Sequence, residues 1–506
     1  MRTLFVSNRL PVVIEKSADV WTFHASSGGL VTALSPLLKR RGGIWIGWPG
    51  ASDIAPDELD AVLHQFALRE GYRLAPVPLS AQDYHRFYQG FCNEIIWPLF
   101  HDLQSLCNFV PAYWTSAQKV EQSFADVIEQ HAQPDDLIWV QDYQLMGLGR
   151  TLVQRGLKNR LAFFLHIPFP PPDIFLKLPW RMDVLRGLLE YEVIGFQTRR
   201  DLANFSDCVH RLLPEVERHR DPGELRLETD GRQCAAAAFP IGIDFDEFAA
   251  GAADPAVDQR LQELRAQFGG RQVILGVDRL DYTKGIPYRL RAFAQALETF
   301  PELHRNVTLL QILVPSREQV PQYQKLKGEI EQLVAQINGR FTQPGWVPIH
   351  HFFRHIPRQE LLAFYRLADV ALVTPLKDGM NLVCKEYCAA QIEGNGVLVL
   401  SEFAGASEQL APWAINVNPY DIENVAAAIH RALLMTIPQR RRAMVQLRDT
   451  IREQNVYWWL NQFLAECGLI EAEREKASRA RAVPPAPQPA HRSPRRKESP
   501  NDSAGS

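Results

Sequence analysis

The sequence predicts an α/β protein with two doubly wound domains that face each other across a deep cleft. Short apolar runs with strand character alternate with helical segments, and they form two series, before and after about residue 242. Continuous apolar strands separated by helices are typical of parallel sheets with both faces covered. A chain of 506 residues also exceeds what one hydrophobic core usually fills, so at least two domains are expected.

The elements of both series can be placed from their patterns. Helical periodicity is clear in 329–341 and 357–368, whereas the stretch 221–261 is locally irregular and predicts a domain junction. In open α/β sheets the ligand site lies outside the carboxyl ends of the strands, so the cleft is the expected site. The predicted strands are 3–8, 43–48, 137–143, 160–168, 192–198, 272–278, 307–315, 347–353, 369–375 and 396–402.

Composition argues against several classes of function. The apolar fraction of 46% and the charged fraction of 22% are ordinary, and the net charge of −3 gives no electrostatic case for nucleic acid or an anionic membrane. No stretch approaches the roughly 18 apolar residues of a membrane span, and the first residues have the pattern of a buried strand rather than a signal peptide. The seven cysteines lack a framework spacing, which favours reduced thiols and a cytoplasmic protein.

No metal and no cofactor are expected. Cys384 and Cys388 share a predicted helix, but no matching His or Cys pair lies nearby, so buried small residues are the better interpretation. The D-x-D pattern of Asp244 and Asp246 lies in the predicted junction, where a surface or hinge role is favoured.

The final segment differs in composition from the rest. Residues 476–506 contain six prolines and no aromatic residue, with seven Lys and Arg against two acidic residues. Such a segment cannot bury a core, so a disordered basic tail is predicted, either solvated or in contact with an anionic partner.

In the first series, polar residues follow the predicted strands. Arg9 comes just after the first strand, Asp142 and His166 lie at the ends of two later ones, and Gly28 and Gly29 open a predicted helix. Glycines there let the backbone approach a phosphate, although Gly-Gly is also common loop chemistry. A lone histidine before Ile-Pro is more often structural than catalytic.

The second series repeats this placement. Arg279 and Lys284 share a strand-to-helix loop, a spacing that suits a diphosphate but equally fits salt bridges to the neighbouring aspartates. Arg317 follows the next strand. At Gly379 and Asn381 another strand gives way to a helix, whose N-terminus offers unpaired N–H groups to an anion.

These residues lie in motifs that resemble one family, the trehalose-6-phosphate synthases, which are retaining glycosyltransferases of the two-Rossmann-domain GT-B type. The motifs follow the family's order over about residues 1–465. They are SNRLP, SSGGL, GWPG, YQGFCNEIIWPLFH, QDYQL, FFLHIPFPPPDIF, GFQT, PIGID, DRLDYTKGIP, VPSR, INGRF, VTPLKDGMNLVCKEY, LVLSEFAGASEQL and NPYD.

The resemblance implies a division of the chain and a reaction. It implies an acceptor domain over 1–241, a nucleotide-sugar domain over 242–456, a C-terminal helix over 457–475 that crosses back to the first domain, and the tail over 476–506. Glucose would pass from UDP-glucose to glucose 6-phosphate with retention, giving α,α-trehalose 6-phosphate and UDP. The implied partners are these small molecules and further copies of the chain, as a dimer or tetramer.

The family's binding residues can be carried over where the motifs match. For glucose 6-phosphate they are Arg9, Tyr88, Trp97, Asp142 and Arg317. For UDP-glucose they are Gly28, Gly29, Arg279, Lys284, Ile356, Asp378, Leu382, Val383, Cys384, Lys385 and Glu386. Within this set, Asp378 would hold the glucosyl hydroxyls, Glu386 the ribose, and the backbone at Ile356 the uracil.

The resemblance also implies how the reaction proceeds. The catalytic set would be Asp142, His166, Arg279, Lys284 and Asp378, with the two cations and the helix N-terminus stabilising charge on departing UDP. A retaining glycosidase uses a carboxylate nucleophile, and none is evident here. The leaving phosphate oxygen would instead take the acceptor proton, with Asp142 and His166 positioning the acceptor.

Two departures and two alternatives accompany the resemblance. The chain has QDYQL where bacterial members often read H-D-Y-H, and Lys377 where arginine is frequent. One alternative is glucosylglycerol-phosphate synthase, which uses glycerol 3-phosphate and ADP-glucose. The other is an inactive protein that senses sugar phosphate. The nucleotide base of the donor stays open, because a pocket that reads the base through backbone has little side-chain signature.

Overall fold

The computed structural model describes most of the chain between residues 2 and 468. The described residues are 2–17, 20–25, 31, 34–35, 38–39, 42–51, 54–221, 224–229, 231–316 and 320–468. The predicted tail and three predicted site residues, Gly28, Gly29 and Arg317, lie outside this part of the chain.

Two large sheets form the framework of the molecule. The strands are β1 (Thr3–Arg9), β2 (Val12–Ser17), β3 (Val20–Ala25), β4 (Gly43–Trp48), β5 (Arg73–Pro76), β6 (Leu137–Gln141), β7 (Arg160–Phe164), β8 (Val193–Phe196), β9 (Glu217–Asp221), β10 (Glu224–Thr229), β11 (Arg232–Ala238), β12 (Gln272–Arg279), β13 (Val307–Val314), β14 (Ile349–Phe353), β15 (Val370–Val373), β16 (Val397–Ser401) and β17 (Ile415–Val417). The first sheet has the order β5-β4-β1-β6-β7-β8-β11-β10-β9 and the second β14-β13-β12-β15-β16-β17, while β2 and β3 pair separately.

The strand order sets where a ligand can bind. In the first sheet the chain runs outward from β1 through β4 to β5, and then from β6 outward on the other side. The second sheet repeats this with β12 to β14 and then β15 to β17, all in parallel. Each sheet therefore has a topological switch point, and the carboxyl ends of the strands beside it are where doubly wound folds hold ligands.

Helices cover both sheets. The α-helices of the described residues are α1 (Pro56–Glu70), α2 (Ala81–Tyr84), α3 (Trp97–Phe100), α4 (Pro111–His131), α5 (Leu148–Gln154), α6 (Pro172–Phe175), α7 (Arg181–Leu188), α8 (Arg199–Leu212), α9 (Phe245–Ala252), α10 (Pro255–Phe268), α11 (Ile286–Thr299), α12 (Pro321–Phe341), α13 (Arg358–Leu367), α14 (Leu382–Ala390), α15 (Ser407–Leu410), α16 (Ile422–Leu434), α17 (Ile437–Glu453) and α18 (Val456–Glu466). A π-helix, His85–Ile96, joins α2 to α3.

The strands predicted from apolar runs are confirmed, with ends that differ by a few residues, and so are the two predicted helices, which fall in α12 and α13. The prediction of an irregular stretch over 221–261 is wrong. Its first half carries β10 and β11, which extend the first sheet, and its second half carries α9 and α10. Residues 224–238 contain no Val or Ile, yet Leu225 and Leu227 alternate with polar residues and are buried, which is the period of a strand with one covered face.

The last helix, α18, packs against the first sheet although it follows the second in the chain. The Trp459 ring lies 5.7 Å from that of Trp139 on β6, and the Phe463 ring stacks on Trp139 at 4.5 Å. At the end of the helix, Arg160 Nη1 donates to the carbonyl of Cys467 at 2.7 Å. The domain boundaries at 241 and 456 stay predictions.

Candidate active site in the cleft

Arg9, the predicted cation at the end of β1, lies against a stack of aromatic rings. The Arg9 guanidinium lies 5.0 Å from the ring centre of Trp48, which ends β4. Trp48 stacks on Tyr84 at 3.6 Å, and Tyr84 stacks on Tyr88 at 5.1 Å. Arg9 itself is exposed, so a planar fork of donors is held on an aromatic surface and open to an anion. Sequence reasoning gave Trp48 and Tyr84 no role, although Trp48 lies in the quoted motif GWPG.

The π-helix and α3 carry the next pair of predicted residues to the same edge. Tyr88 is half-buried, and Trp97 is buried with 6% of its surface exposed. The Trp97 ring lies 5.7 Å from Tyr143, which directly follows Asp142, and 4.4 Å from His101. A wide apolar face therefore adjoins the carboxylate after β6.

Asp142 and His166 are held together at the ends of β6 and β7. Asp142 has a φ of +71°, a conformation rare outside glycine, and its Oδ1 accepts a hydrogen bond from His166 N at 3.1 Å. Backbone strain of this kind is typical of functional sites. The strand prediction placed Asp142 at a strand end, and this position is confirmed.

The His166 ring is fully engaged by the protein. Its Nε2 pairs with Gln141 Oε1 at 3.0 Å, and the Gln197 amide nitrogen donates to its Nδ1 at 3.2 Å. Burial lowers the pKa of His166 to about 3, so the ring is neutral at pH 7. With both nitrogens occupied, His166 is suited to positioning rather than to proton transfer.

On the other side of the cleft, Lys284 and Asp378 form an ion pair. Lys284 Nζ lies 2.5 Å from Asp378 Oδ2, and each side chain is 13% exposed. Burial alone would raise the pKa of Asp378, but the ammonium of Lys284 and the amide of Asn381, 3.1 Å away, hold it below its usual range. Asp378 is thus a charged acceptor whose second oxygen is available to sugar hydroxyls.

The start of α14 lies directly after this carboxylate. Asn381, at a φ of +73°, caps the helix by accepting from Cys384 N at 3.2 Å. Leu382 and Val383 are partly exposed, and their N–H groups have no hydrogen-bond partner among the described residues. Two unpaired N–H groups at the positive end of a helix are a site for an anion.

The remaining predicted residues of α14 point in different directions. Glu386 is half-buried and accepts from Tyr365 Oη at 2.8 Å, and burial raises the pKa of its carboxyl. Lys385 is buried, and its Nζ donates to the Ile241 carbonyl and to Gln409 Oε1, both at 2.7 Å. The Lys385 side chain therefore ties α14 to the segment between the sheets, and only its backbone faces the helix start.

A buried arginine joins the loops after β12 and β15 from beneath. Arg289 Nη1 donates to Asp278 and, at 3.2 Å, to Gln311 Oε1, while its Nε donates to Thr374 Oγ1 at 3.0 Å. The Arg289 side chain is 0% exposed. A Cβ at Gly276 would lie 2.7 Å from both Arg289 Nη1 and Gln311 Oε1, so the glycine leaves room for this network.

This network fixes the position of the end of β12, where Arg279 is exposed. It also fixes the loop that leads to Asp378. Sequence reasoning missed Arg289. Its signal was an arginine on the buried face of α11, in register with Ile286 and Phe293. Ile356 is also buried, at 5% exposure, beside the start of α13.

Close contacts bring the two halves of the site together. A Cβ at Gly379 would lie 2.2 Å from the carbonyl oxygen of His166, so the loop that carries Asp378 rests on the backbone after β7. Lys377 Nζ donates to Asp102 Oδ2 at 2.5 Å. The predicted residues at the ends of β1, β6 and β7 and those after β12 and β15 therefore line one cleft.

The described residues contain no cluster of three or more His, Cys, Asp or Glu side chains that could hold a metal ion. Asp244 caps α9 by accepting from Glu247 N at 3.0 Å and also accepts from Tyr457 Oη at 2.6 Å, while Asp246 is exposed. Across the part of the chain that is described, no helix has both the length and the hydropathy to cross a membrane.

Comparison with known proteins decides the family. The sequence profile described as glycosyltransferase family 20 matches residues 1–468. The chain belongs to glycosyltransferase family 20. A relative, the trehalose-6-phosphate synthase of Mycolicibacterium paratuberculosis, is 41% identical over 467 residues, which are 91% of this chain and 94% of the relative.

Two longer relatives match this chain over most of its length. The bifunctional trehalose-6-phosphate synthase/phosphatase of Thermoproteus tenax is 38% identical over 95% of this chain, and the chain spans 65% of that protein's length. The chain spans about half, 51%, of the UDP-forming alpha,alpha-trehalose-phosphate synthase 1 of Arabidopsis thaliana, which is 40% identical.

Solved structures of similar proteins have the same fold. A UDP-forming alpha,alpha-trehalose-phosphate synthase of Burkholderia xenovorans in complex with glucose 6-phosphate superposes with a TM-score of 0.82 at 34% identity, covering 92% of this chain and 99% of that one. An E. coli trehalose-6-phosphate protein bound with UDP-2-fluoro glucose gives a TM-score of 0.82 at 36% identity, covering 92% and 98%. The resemblance drawn from the motifs and the GT-B fold, with two Rossmann-like domains, are confirmed.

Proposed function

We propose that this family 20 chain transfers the glucosyl group of UDP-glucose to glucose 6-phosphate with retention of configuration, giving α,α-trehalose 6-phosphate and UDP. The observation that carries the proposal is the ion pair of Lys284 and Asp378 beside the unpaired N–H groups at the start of α14. Arg9 lies across the cleft from this pair, on the ring of Trp48. One side offers a cation, N–H groups and a carboxylate to a nucleotide sugar. The other offers a cation and aromatic faces to a sugar phosphate.

The acceptor site is built on the first sheet. Arg9 takes the phosphate of glucose 6-phosphate through its guanidinium fork, and the Tyr88 hydroxyl adds a donor. Trp97 packs against the sugar ring, and Asp142 accepts a hydrogen bond from an acceptor hydroxyl. Arg317 is assigned to the same phosphate, although it lies outside the described residues. The strained backbone of Asp142 and its bond to His166 N support a fixed carboxylate at this position.

The donor site is built on the second sheet. Arg279, Lys284 and the N–H groups of Leu382 and Val383 bind the diphosphate, and Asp378 accepts hydrogen bonds from glucosyl hydroxyls. Glu386 accepts hydrogen bonds from the ribose hydroxyls in addition to the one from Tyr365. The backbone at Ile356 binds the uracil, the backbone at Cys384 and Lys385 completes the helix start, and Gly28 and Gly29 are assigned to the same ligand from outside the described residues.

The chemistry follows from where charge develops. As the bond from C1 to the phosphate oxygen breaks, negative charge grows on UDP, where Arg279, Lys284 and the helix dipole stabilise it. The departing phosphate oxygen takes the proton of the acceptor hydroxyl, which attacks the same face of the sugar. His166 stays neutral and orients the Asp142 loop.

The cellular compartment and the oligomeric state of the chain are also part of the proposal. The seven cysteines are all free thiols, which supports a reducing compartment such as the cytoplasm. We also infer assembly of this chain into a dimer or tetramer, which light scattering after size exclusion would test.

Proton NMR of the purified protein with UDP-glucose and glucose 6-phosphate tests the reaction. Two α-anomeric signals of a 1,1-linked disaccharide phosphate, growing as UDP is released, are expected. Product from glycerol 3-phosphate and ADP-glucose alone would favour glucosylglycerol-phosphate synthase. Absence of product with every donor and acceptor would favour the sugar-phosphate sensor.

A further inference from the structure

His101 lies between the two halves of the proposed site. It directly follows α3, and its ring lies 4.4 Å from that of Trp97. Its neighbour Asp102 pairs with Lys377, the residue before Asp378, so the chain at His101 faces the donor loop. The residue is 4% exposed.

The hydrogen bonding of the His101 ring fixes its tautomer. Nδ1 lies 2.7 Å from the carbonyl oxygen of Trp97, which can only accept, so Nδ1 carries the proton. Burial lowers the pKa of His101 to about 4, and the nearby carboxylates of Asp281 and Asp378 only partly oppose this effect. The ring is therefore neutral at pH 7, and Nε2 is a hydrogen-bond acceptor.

No described residue forms a hydrogen bond with this acceptor. A histidine that serves only the core usually satisfies both ring nitrogens, as His166 does with Gln141 and Gln197. The unpaired nitrogen of His101 lies on the ring edge away from the Trp97 carbonyl, and the His101 ring and the Asp378 carboxylate are near enough to interact electrostatically. An acceptor on a side chain that is itself largely buried is suited to a hydroxyl donor from a bound sugar.

We propose that His101 Nε2 accepts a hydrogen bond from a hydroxyl of the donor glucosyl group that Asp378 holds, which makes His101 a specificity-determining residue of the transfer. The inference rests on the proposed function. Asp378 and His101 would then bind the same sugar from opposite sides of the cleft, so a donor that lacks the hydroxyl leaves the His101 acceptor unpaired once the sugar covers it. Such a loss typically costs about 10- to 100-fold in binding or rate.

Two variants separate the two ring nitrogens. In His101→Asn the amide nitrogen takes the place of Nδ1 and keeps the bond to Trp97, while the acceptor is lost. In His101→Gln the amide oxygen takes the place of Nε2 and keeps the acceptor. Both are compared with the unchanged chain by the unfolding midpoint and by kcat and KM for UDP-glucose. Turnover of the unchanged chain is measured first, because its absence contradicts the proposed function and not the role of His101.

Donor analogues that each lack one glucosyl hydroxyl complete the test. We expect His101→Asn to lose about 10- to 100-fold in kcat/KM at an unchanged midpoint, with most of it recovered in His101→Gln. One analogue should lower kcat/KM of the unchanged chain by the same factor as the His101→Asn substitution does. The same analogue should not lower kcat/KM of His101→Asn any further. The proposal is overturned if His101→Asn keeps full kcat/KM, or if His101→Gln loses as much kcat/KM as His101→Asn does. It is also overturned if every donor analogue lowers kcat/KM of His101→Asn as much as it lowers that of the unchanged chain. The same holds if only deoxy analogues of glucose 6-phosphate lower kcat/KM of the unchanged chain without lowering that of His101→Asn further.

Discussion

Lys284 Nζ lies 2.5 Å from Asp378 Oδ2 at the bottom of the cleft, where both side chains are largely buried. The two residues are 94 positions apart in the sequence and come from loops after β12 and β15, the strands on either side of the switch point. The pair holds the carboxylate charged and fixes the direction in which its free oxygen points. Donor binding should therefore depend on the charge of Asp378 and not only on its shape.

The first prediction concerns this charge. Asp378→Asn keeps the size of the side chain but removes its negative charge. It leaves one acceptor oxygen in place of two, so Lys284 and a glucosyl hydroxyl no longer each have a carboxylate oxygen. We expect kcat/KM for UDP-glucose to fall about 10- to 100-fold, because hydrogen bonds to charged groups contribute about 1.5–3 kcal/mol. Initial rates of UDP release measure the change. Asp246→Asn, at an exposed position on α9, is the control and should leave the rates unchanged.

Much of this arrangement could be predicted from sequence because strands and turns are local signals. Apolar runs located β12 and β15, and the break at Gly379 and Asn381 located the start of α14. The pairs that span long sequence distances were invisible, such as Lys377 with Asp102, which are 275 residues apart. Motifs identified the family residue by residue, yet they could not show that both nitrogens of His166 are already engaged.

Other misses have the same physical origin. The helical register places a polar residue such as Arg289 on an apolar face, but the sequence does not show which distant partners allow such a residue to be buried. The strands β10 and β11 were missed because alanine and charged residues have low strand propensity, and pairing with β8 and β9 overrides that preference.

The second prediction concerns the buried network beneath the donor loops. Arg289→Met should lower the free energy of unfolding by about 3–5 kcal/mol, since it leaves the Asp278 carboxyl buried without its cation. Burial already raises the pKa of Asp278 against the charge of Arg289. Denaturation in urea measures the loss. Adding Asp278→Asn should recover part of it, and a double variant as unstable as the single one would contradict this account.

Arg291→Met is a matched control on the same helix. Arg291 pairs with Glu329 at 2.7 Å, but both side chains are nearly half exposed. A surface pair of this kind contributes at most about 1 kcal/mol, so the control should change stability little.

The third prediction concerns the ion pair across the cleft. Lys377 and Asp102 join the two halves of the site, and Lys377→Met should favour a more open arrangement in the absence of ligands. Because Asp102 is 44% exposed, the pair contributes no more than about 1 kcal/mol, and KM for UDP-glucose should rise no more than about fivefold.

Small-angle scattering without ligands should show a larger radius of gyration for Lys377→Met, and UDP with glucose 6-phosphate should reduce the difference. Lys119→Met removes a surface pair with Asp83 within one half of the molecule and should leave both measurements unchanged. Identical scattering curves and KM values for Lys377→Met and the unchanged chain would refute a role for this pair in closure.

The fourth prediction concerns pH and a buried carboxyl behind the Asp142 loop. Glu121 on α4 is 8% exposed, and its Oε1 accepts from Gly147 N at 3.0 Å. Burial raises the pKa of Glu121 from 4.5 to about 8, and the single backbone hydrogen bond lowers it only in part. Between these two pH values the unfolded chain has lost a proton that the folded chain still holds, so the contribution of Glu121 to stability falls as pH rises.

Glu121→Gln removes this dependence, since the amide keeps an acceptor for Gly147 N and cannot ionise. The unfolding midpoint of the variant relative to the unchanged chain should therefore rise steadily from pH 5 to about pH 8 and stay level above it. Glu453→Gln replaces an exposed carboxylate and should give a curve parallel to that of the unchanged chain. A Glu121→Gln curve that is also parallel would mean that Glu121 is charged in the folded protein throughout this range, and that the Gly147 loop is held by a carboxylate rather than by a carboxylic acid.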